Sequence, residues 1–502
     1  MITKPKGTYD LYGMQGKKVL FLRSFFEELM EKYNYEYFRT PLFESSELFH
    51  RGVGETTDIV TKETYDFKDR GERNMTLRPE GTAGIVRCFI ENKLYSDPSI
   101  PKKTWYFGPM YRYERPQSGR FREHYQFGCE VFGSNDPLVD AEIISIPVTI
   151  FRLLGLKGIK VNINSLGDQK SRIAYHEALI KYLAPNIDKL CDDCKERFKK
   201  NPLRILDCKI DKDSEILKNV PKTIDYLNEE SKTRFEKVLE YLDALEIDYV
   251  VNPNTVRGLD YYTHTVFEVE ADIKEFGAQN VMCGGGRYDN LIENIGGPTT
   301  PAVGFGMGTE RLMMALEYEG IDLVGKDTID CYIAPLSEKE KAFGIALCNS
   351  LRILGFKTDM DYQGRTLKSN FKQAERLGAN LAIIIGEEEV KNKELTIKNL
   401  VTKEETKVDN NDAITFIAET LEDIYHTHNC SCNDDCCCDD CECDCTHQDN
   451  CSCDDECSCD ECSCECDCNC ECTCGDECTC NDDERCSDNC TCNESCNCKK
   501  DK

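Results

Sequence analysis

From Cys430 to Lys502 the chain contains no Ala, Val, Ile, Leu, Met, Phe, Tyr, Trp or Pro. Cysteine apart, nothing in that stretch can be buried to offset the entropy of ordering a chain, so it does not fold by burial. Any hydrophobic core must lie in residues 1–429. At roughly 100–200 residues per domain, a chain of 502 residues has room for about three units, of which the last is this tail. It holds 26 of the 34 cysteines and 23 acids against four basic residues, a local net charge of −19. Residues 1–429 carry 58 basic and 69 acidic residues, a net charge of −11, with eight dispersed cysteines: Cys88, Cys129, Cys191, Cys194, Cys208, Cys283, Cys331 and Cys348. Eight thiols so widely spaced do not form a disulfide framework, and the body reads as a reduced cytosolic protein. Binding nucleic acid through overall positive charge is excluded; any such contact must be local. The N-terminus, MITKPKGTYDLYG, has no signal-like apolar run. The longest apolar stretches, such as Leu381 to Ile385, fall far short of the roughly 18 residues a membrane helix needs. No membrane partner is expected.

The tail has a pattern of its own. Fifteen C-x-C pairs recur, with an unbroken run through Cys462, Cys464, Cys466, Cys468, Cys470, Cys472 and Cys474. Thiolates two residues apart on an extended chain can share one soft ion, which points to Zn²⁺ or Cu(I). In composition alone it resembles a metallothionein. The rival reading is an acidic tail whose cysteines cross-link on oxidation. Metal uptake at neutral pH would release protons.

In the body, residues 17–33 place Val19, Leu22, Phe25, Phe26, Leu29 and Tyr33 on one helical face, with Arg23, Glu27, Glu28 and Glu31 opposite. Strand-like runs follow at Tyr35–Thr40, Asn74–Leu77, Thr104–Phe107, Gln126–Phe132 and Tyr261–Glu270. Residues 167–250 turn lysine- and glutamate-rich, with helices expected at 168–184 and 229–245, and read as an insertion. This order predicts an α+β fold, a mostly antiparallel sheet flanked by helices, over residues 1–325. From 326 to 426 the rhythm becomes β-α-β-α-β with short connections, closed by a strand pair near 394–409 and a helix at 412–425. That predicts a separate α/β domain, leaving 427–502 as the tail.

Four stretches are more polar and glycine-rich than packing requires: Leu77–Thr82, Gly108–Glu130, Arg257–Thr263, and Cys283–Asp289 with Gly304–Arg311. Arg112 and Glu114, two apart on an expected strand, would face one ligand together. Glycines before a helix admit a ligand to the backbone, and the helix start favours anions. Each feature alone has a plainer reading, as a surface ion pair or a tight turn. Together, several arginines and carboxylates on separate strands suit a polyphosphate held beside a small zwitterion.

In order along the chain these stretches resemble the class II aminoacyl-tRNA synthetases, and within them the histidyl-tRNA synthetase family. Residues 17–41, ending Thr40-Pro41, resemble motif 1; Tyr111-Arg112-Tyr113-Glu114 motif 2; and Gly304 to Arg311 motif 3. RGLDYYTHTVFE at 257–268 and GGGRYD at 284–289 resemble the segments peculiar to the histidine enzymes. The resemblance covers about residues 1–425 and makes 326–426 an anticodon-binding domain. It implies activation of L-histidine with ATP and Mg²⁺, transfer to tRNA(His), and a homodimer. Arg112, Glu114, Arg120 and Arg311 would bind ATP, with Arg257 facing Arg112 across the α-phosphate as the catalytic pair. Glu80, Thr82 and Gln126 would hold the amino group, Glu130 and Tyr262 the imidazole, and Tyr288 would line its pocket. Arg115 and Gln117 would meet the tRNA acceptor end, which the tail's charge would repel.

Where the family has a phenylalanine to stack on adenine, this chain has His124. Cys191-x-x-Cys194 and Cys208 offer three thiols that could hold a zinc with a fourth ligand such as His176, but a C-x-x-C pair without a second pair is half a site, and reduced structural thiols are the plainer reading. The alternative function is a synthetase-like, histidine-sensing regulatory subunit that does not charge tRNA. Such paralogues lack an anticodon-binding domain, and residues 326–425 supply one here.

Overall fold

The structure, a computed structural model, describes residues 1–429 apart from Glu55, Thr56, Asp58, Asp207, Lys209, Lys212, Gly258, Asp260, Lys274, Glu275 and 277–279. The metal reading of Cys462 to Cys474 therefore falls outside the described residues. The chain divides into two compact units, Met1–Lys326 and a second beginning at Asp327.

The first unit contains β1 (Glu36–Tyr37), β2 (Phe43–Ser45), β3 (Tyr65–Lys68), β4 (Asn74–Leu77), β5 (Lys102–Tyr111), β6 (Glu123–Phe132), β7 (Ile159–Ser165), β8 (Tyr249–Val251), β9 (Thr263–Ala271), β10 (Val281–Arg287) and β11 (Ala302–Gly308). Eight of these form one sheet in the order β1-β5-β6-β11-β10-β9-β7-β8, and β2-β4-β3 form a smaller one. The large sheet is antiparallel except at its two edges, where β1 runs parallel to β5 and β8 to β7. One face carries the larger core. Phe127, Cys129, Phe267, Val269, Phe305 and Met307 of the strands pack against two helices, Gly13–Lys32 and Pro137–Leu153. The first helix buries Val19, Leu22, Phe26, Leu29 and Met30, close to the face its periodicity predicts.

The second helix was not legible in the sequence. It is buried on nearly every side, through Ile143, Ile144, Ile146, Pro147, Val148 and Ile150 among others, so no polar stripe gives it a 3.6-residue period. Its start is fixed by Asp136, whose carboxylate accepts the Leu138 N–H at 2.9 Å. Between residues 167 and 250 lie helices at Gln169–Leu183, Asp192–Lys200 and Glu229–Ala244.

Two expectations need correction. β5 ends at Tyr111, so Arg112 and Glu114 do not share a strand face. Arg112 donates through Nε to the Pro79 carbonyl at 2.8 Å, whereas Glu114 accepts from Arg120 at 3.1 Å. The glycines 284–286 and 304–308, for which a tight turn is the plainer reading, lie instead in the interior strands β10 and β11.

In the second unit, β12 (Ile329–Pro335), β13 (Thr358–Met360), β14 (Ala379–Ile385), β15 (Glu394–Asn399) and β16 (Glu405–Asp409) form a sheet in the order β13-β12-β14-β15-β16. β12 is parallel to both neighbours, and the last two pairings are antiparallel. Helices Lys341–Ile353, Leu367–Arg376 and Ala413–Asn429 complete it. No described helix is long and apolar enough to cross a membrane.

Candidate functional site

Strands alternate their side chains between faces, which gives the glycines their meaning. In β11, Phe305 and Met307 point into the core while Gly304, Gly306 and Gly308 face the other way. Across the sheet, Glu268, Gly284, Gly306, Gly128 and Tyr106 lie in one register row, and Val266, Gly286, Gly304, Glu130 and Thr104 in the next. The result is a shelf without side chains, on which long polar groups lie flat. A Cβ on Gly304 would sit 1.6 Å from Glu130 Oε2, one on Gly306 2.0 Å from Gln126 Nε2, and one on Gly284 2.4 Å from Arg257 Nη1. The Tyr106 ring occupies the same space above Gly128, at 2.4 Å from a Cβ there.

At one end of the shelf the side chains converge on a buried carboxylate. Glu130 accepts from Thr82 Oγ1 at 2.7 Å, Tyr288 OH at 2.5 Å and, more weakly, Tyr106 OH at 3.4 Å. It is fully buried. Burial pushes its pKa up to about 8, with the charge of Glu80 adding to the effect against these hydrogen bonds. Glu80 closes the start of the helix Thr82–Glu91, its oxygens accepting the Thr82 and Ala83 N–H groups at 2.8 and 2.7 Å. Its own pKa is raised by burial. Tyr262 joins this end through rings: its centroid lies 4.6 Å from Tyr261, which lies 5.5 Å from Tyr288. Gln126 Oε1 is buried without a hydrogen-bond partner.

The other end is cationic. Arg257 pairs with Glu268, yet its buried Nε has no partner. Arg311 donates to the Val281 carbonyl at 2.6 Å. Burial, and then the charge of Arg120, lowers the Arg311 pKa. Like charges brought this close favour an anion between them. His124 is kept neutral by burial and by the Arg112 charge beside it, which push its pKa down to about 3, and its Nδ1 is unpaired.

Orphaned polar atoms at both ends, one set beside a carboxylate and the other beside guanidinium groups, fit a ligand with a cationic head and an anionic tail. Arg115 and Gln117 are both exposed on the loop between β5 and β6, where Gln117 and Arg120 bridge through their backbones.

A family model described as histidyl-tRNA synthetase matches residues 7–312. The chain is also 50% identical over 418 residues to the histidine–tRNA ligase of Anoxybacillus flavithermus, covering 83% of this chain and 99% of that one. The chain belongs to the histidyl-tRNA synthetase family. The histidine–tRNA ligase of Oceanobacillus iheyensis is 49% identical over 417 residues, 83% of this chain and 97% of its own. Apo S. aureus histidyl-tRNA synthetase superposes with a TM-score of 0.72 at 41% identity, over 83% of this chain and all of that one. A model described as anticodon binding domain matches residues 330–420. The chain is thus a histidine–tRNA ligase, with histidine, ATP and tRNA as substrates; the regulatory-subunit alternative is not favoured. A structure described as an ATP phosphoribosyltransferase regulatory subunit/histidyl-tRNA synthetase from Bacillus halodurans shares the fold, with a TM-score of 0.55 at 21% identity over 77% of this chain and 98% of that one.

Several residues around the shelf gave no sequence signal strong enough to single them out. Tyr106 and Glu268 sit in ordinary alternating strands, and only the register row exposes their position. Arg287 of the GGGRYD segment is a strut rather than a ligand. It is fully buried against Asp140, its Nη2 2.5 Å from Oδ2, and also bonds Asp289 at 3.1 Å. Glu310 accepts the Tyr125 N–H at 2.7 Å and the Tyr9 hydroxyl, tying the motif 3 helix to β6.

Proposed function

We propose that the two ends of the glycine shelf divide the ligase reaction between them. Glu130 and Tyr262 bond the imidazole, with Tyr288 and Tyr106 holding Glu130 in place, and Glu80, Thr82 and Gln126 receive the amino group. Arg112, Glu114, Arg120 and Arg311 bind ATP. A carboxylate oxygen of histidine attacks the α-phosphorus as the bond to the β-phosphate oxygen breaks, giving histidyl-adenylate and pyrophosphate. Charge builds on the α-phosphoryl oxygens, and Arg257 and Arg112 stabilise it as fixed forked donors that stay protonated. Positioning and electrostatics carry this step, because phosphoryl transfer needs little covalent help. Mg²⁺ arriving on the ATP phosphates would neutralise the leaving pyrophosphate. Arg115 and Gln117 then meet the tRNA acceptor end.

The observation that carries this reading is the buried Glu130 with its three hydroxyl donors. It is a carboxylate placed to accept an imidazole N–H where water does not compete. A site built for that bond rejects amino acids that leave it unpaired, by about 10⁴-fold or more in favourable cases.

In this reading residues 1–325 form the catalytic domain with an insertion at 167–250, residues 326–426 bind the anticodon, and the protein works in the cytoplasm. A homodimer accounts for Leu20 and Phe21, which the first helix leaves 64% and 38% exposed; sedimentation tests it. The tail takes up Zn²⁺ or Cu(I), read as extra metal on the full chain over residues 1–429.

Amino-acid-dependent exchange of pyrophosphate into ATP, run with each of the twenty amino acids, tests the core of the proposal. Only histidine should support exchange, and Arg257→Ala should lower the rate about 100-fold or more with little change in histidine affinity. Exchange with another amino acid, or an unchanged rate in Arg257→Ala, would overturn it.

A further inference from the structure

Outside the shelf, the described residues hold one other cluster of metal-ligating groups. Cys191, Cys194, Cys208 and Asp211 each offer a ligand atom, and these atoms lie within 4.8 Å of one another. The sequence shows three of these four, Cys191-x-x-Cys194 and Cys208. The structure brings up a second pair with the same spacing, Cys208-x-x-Asp211, and leaves His176 out. We propose that these four residues bind one structural Zn²⁺ through three thiolates and a carboxylate.

The geometry is that of two knuckles facing each other. Cys191 immediately precedes the helix Asp192–Lys200, and Cys194 lies in its first turn. In the second knuckle the Asp211 N–H points at Cys208 Sγ at 3.4 Å. Asp211 also accepts the Cys191 N–H through Oδ2 at 2.9 Å, so the two knuckles are already joined. Cys191 Sγ and Cys208 Sγ are 3.6 Å apart, and Cys208 Sγ lies 3.6 Å from Asp211 Oδ2. Tetrahedral zinc with bonds of about 2.3 Å to sulfur separates its ligands by about 3.8 Å, so little movement would be needed. The spacing of two residues within each pair, with a longer segment between pairs, is that of structural zinc knuckles.

The donor set selects the ion. Three thiolates disfavour Mg²⁺ and Ca²⁺, a hard carboxylate disfavours Cu(I), and four protein ligands leave no open position for catalysis. The helix N-terminus beside Cys191 and Cys194 helps carry the thiolate charge. Binding is not a redox step: Zn²⁺ displaces three thiol protons and takes an already ionised carboxylate.

The placement gives the ion something to hold. Between the knuckles runs the turn Pro202–Ile205, where Arg204 donates to the Arg257 carbonyl at 3.2 Å and accepts at its own carbonyl from Arg197 at 3.1 Å. Asn201, Leu203 and Arg204 line a cavity together with Arg257 and Tyr262. Clamping the knuckles fixes the turn that buttresses the strand-entry loop of the active site.

The tail's thiols make a bulk metal count ambiguous, so the test is resolved by residue on the full chain under reducing conditions. Cys191, Cys194 and Cys208 should resist alkylation in the protein loaded with Zn²⁺ and gain labelling about tenfold or more after a strong chelator. Cys331 and Cys348, buried in the other unit, should not respond. Crystals of the zinc-loaded chain should show an anomalous peak at the zinc edge about 2.3 Å from three sulfurs and about 2.0 Å from Asp211. In a folded Asp211→Ala chain the three cysteines should label several-fold faster at the same free Zn²⁺. Labelling indifferent to the chelator, no anomalous peak, or a Cys191–Cys208 disulfide under reducing conditions would each overturn the site.

Discussion

Histidine binding should expel a proton, and the proton should come from Glu130. Burial, reinforced by the charge of Glu80, places its pKa at about 8, so at pH 7 about 90% of the empty enzyme carries a protonated Glu130. An imidazole N–H donated to this carboxylate, and an α-ammonium beside it, favour the ionised form and draw the pKa below neutrality. About 0.9 proton per site should therefore be released at pH 7, falling to about 0.1 at pH 9. Ionising Glu130 first costs about 1.4 kcal/mol at pH 7, so relief of that cost strengthens binding up to about tenfold between pH 7 and 9. Calorimetric titrations in buffers of different ionisation enthalpy read the release directly. Glu130→Gln should release none and raise the histidine KM by about 10- to 100-fold. No release from the wild type, or equal release from the variant, would refute the reasoning. Folding carries the same signature with its own sign. The folded pKa lies above the unfolded 4.5, so the native state holds the extra proton and Glu130's contribution to stability falls as pH rises from about 4.5 to 8.

The glycine shelf gives a paired test. Gly304→Ala forces a methyl onto Glu130 Oε2 and 2.6 Å from the Cys129 carbonyl, which should cost about 1–3 kcal/mol in thermal unfolding and raise the histidine KM. A Cβ on Gly308, in the same strand, meets nothing within 4 Å, and Gly308→Ala should leave the melting temperature unchanged; equal effects would argue against the shelf. Arg287→Met removes the main partner of a fully buried Asp140 and should cost about 3–5 kcal/mol in denaturant unfolding. Burial alone would raise the Asp140 pKa, but Arg287 and Arg234 hold it below 3.8. Its stabilisation is therefore present above that pH and lost below it, the reverse of Glu130. His124, with a pKa of about 3, should stay neutral from pH 5 to 9. The ATP KM should then show no inflection in that range that disappears in His124→Phe.

The candidate site residues could be singled out because their types suit the proposed ligands: guanidinium groups for phosphate and carboxylates for cationic groups. Helices such as Gly13–Lys32 and Glu229–Ala244 were legible because one face of each is wet. What the sequence hid was whatever the fold made two-sided. The helix Pro137–Leu153 lacks a polar stripe because it is covered almost all round. β10 and β11 look like turns because their site face is glycine, although Phe305 and Met307 mark the alternation of a strand. Arg112 and Glu114 look like strand neighbours because the end of β5 at Tyr111 is set by the partner strand, which no local pattern records. Asp211 as the fourth member of the cysteine cluster is invisible for the same reason: a carboxylate among many acids has no signature until the chain brings it to three sulfurs.

A crystal structure with histidine and a non-hydrolysable ATP bound together is the most direct trial of this account. The imidazole should lie within hydrogen-bond distance of Glu130 and Tyr262, and the α-phosphate between Arg112 and Arg257 above Gly284. An imidazole turned away from Glu130, or phosphates bound without those two arginines, would contradict it.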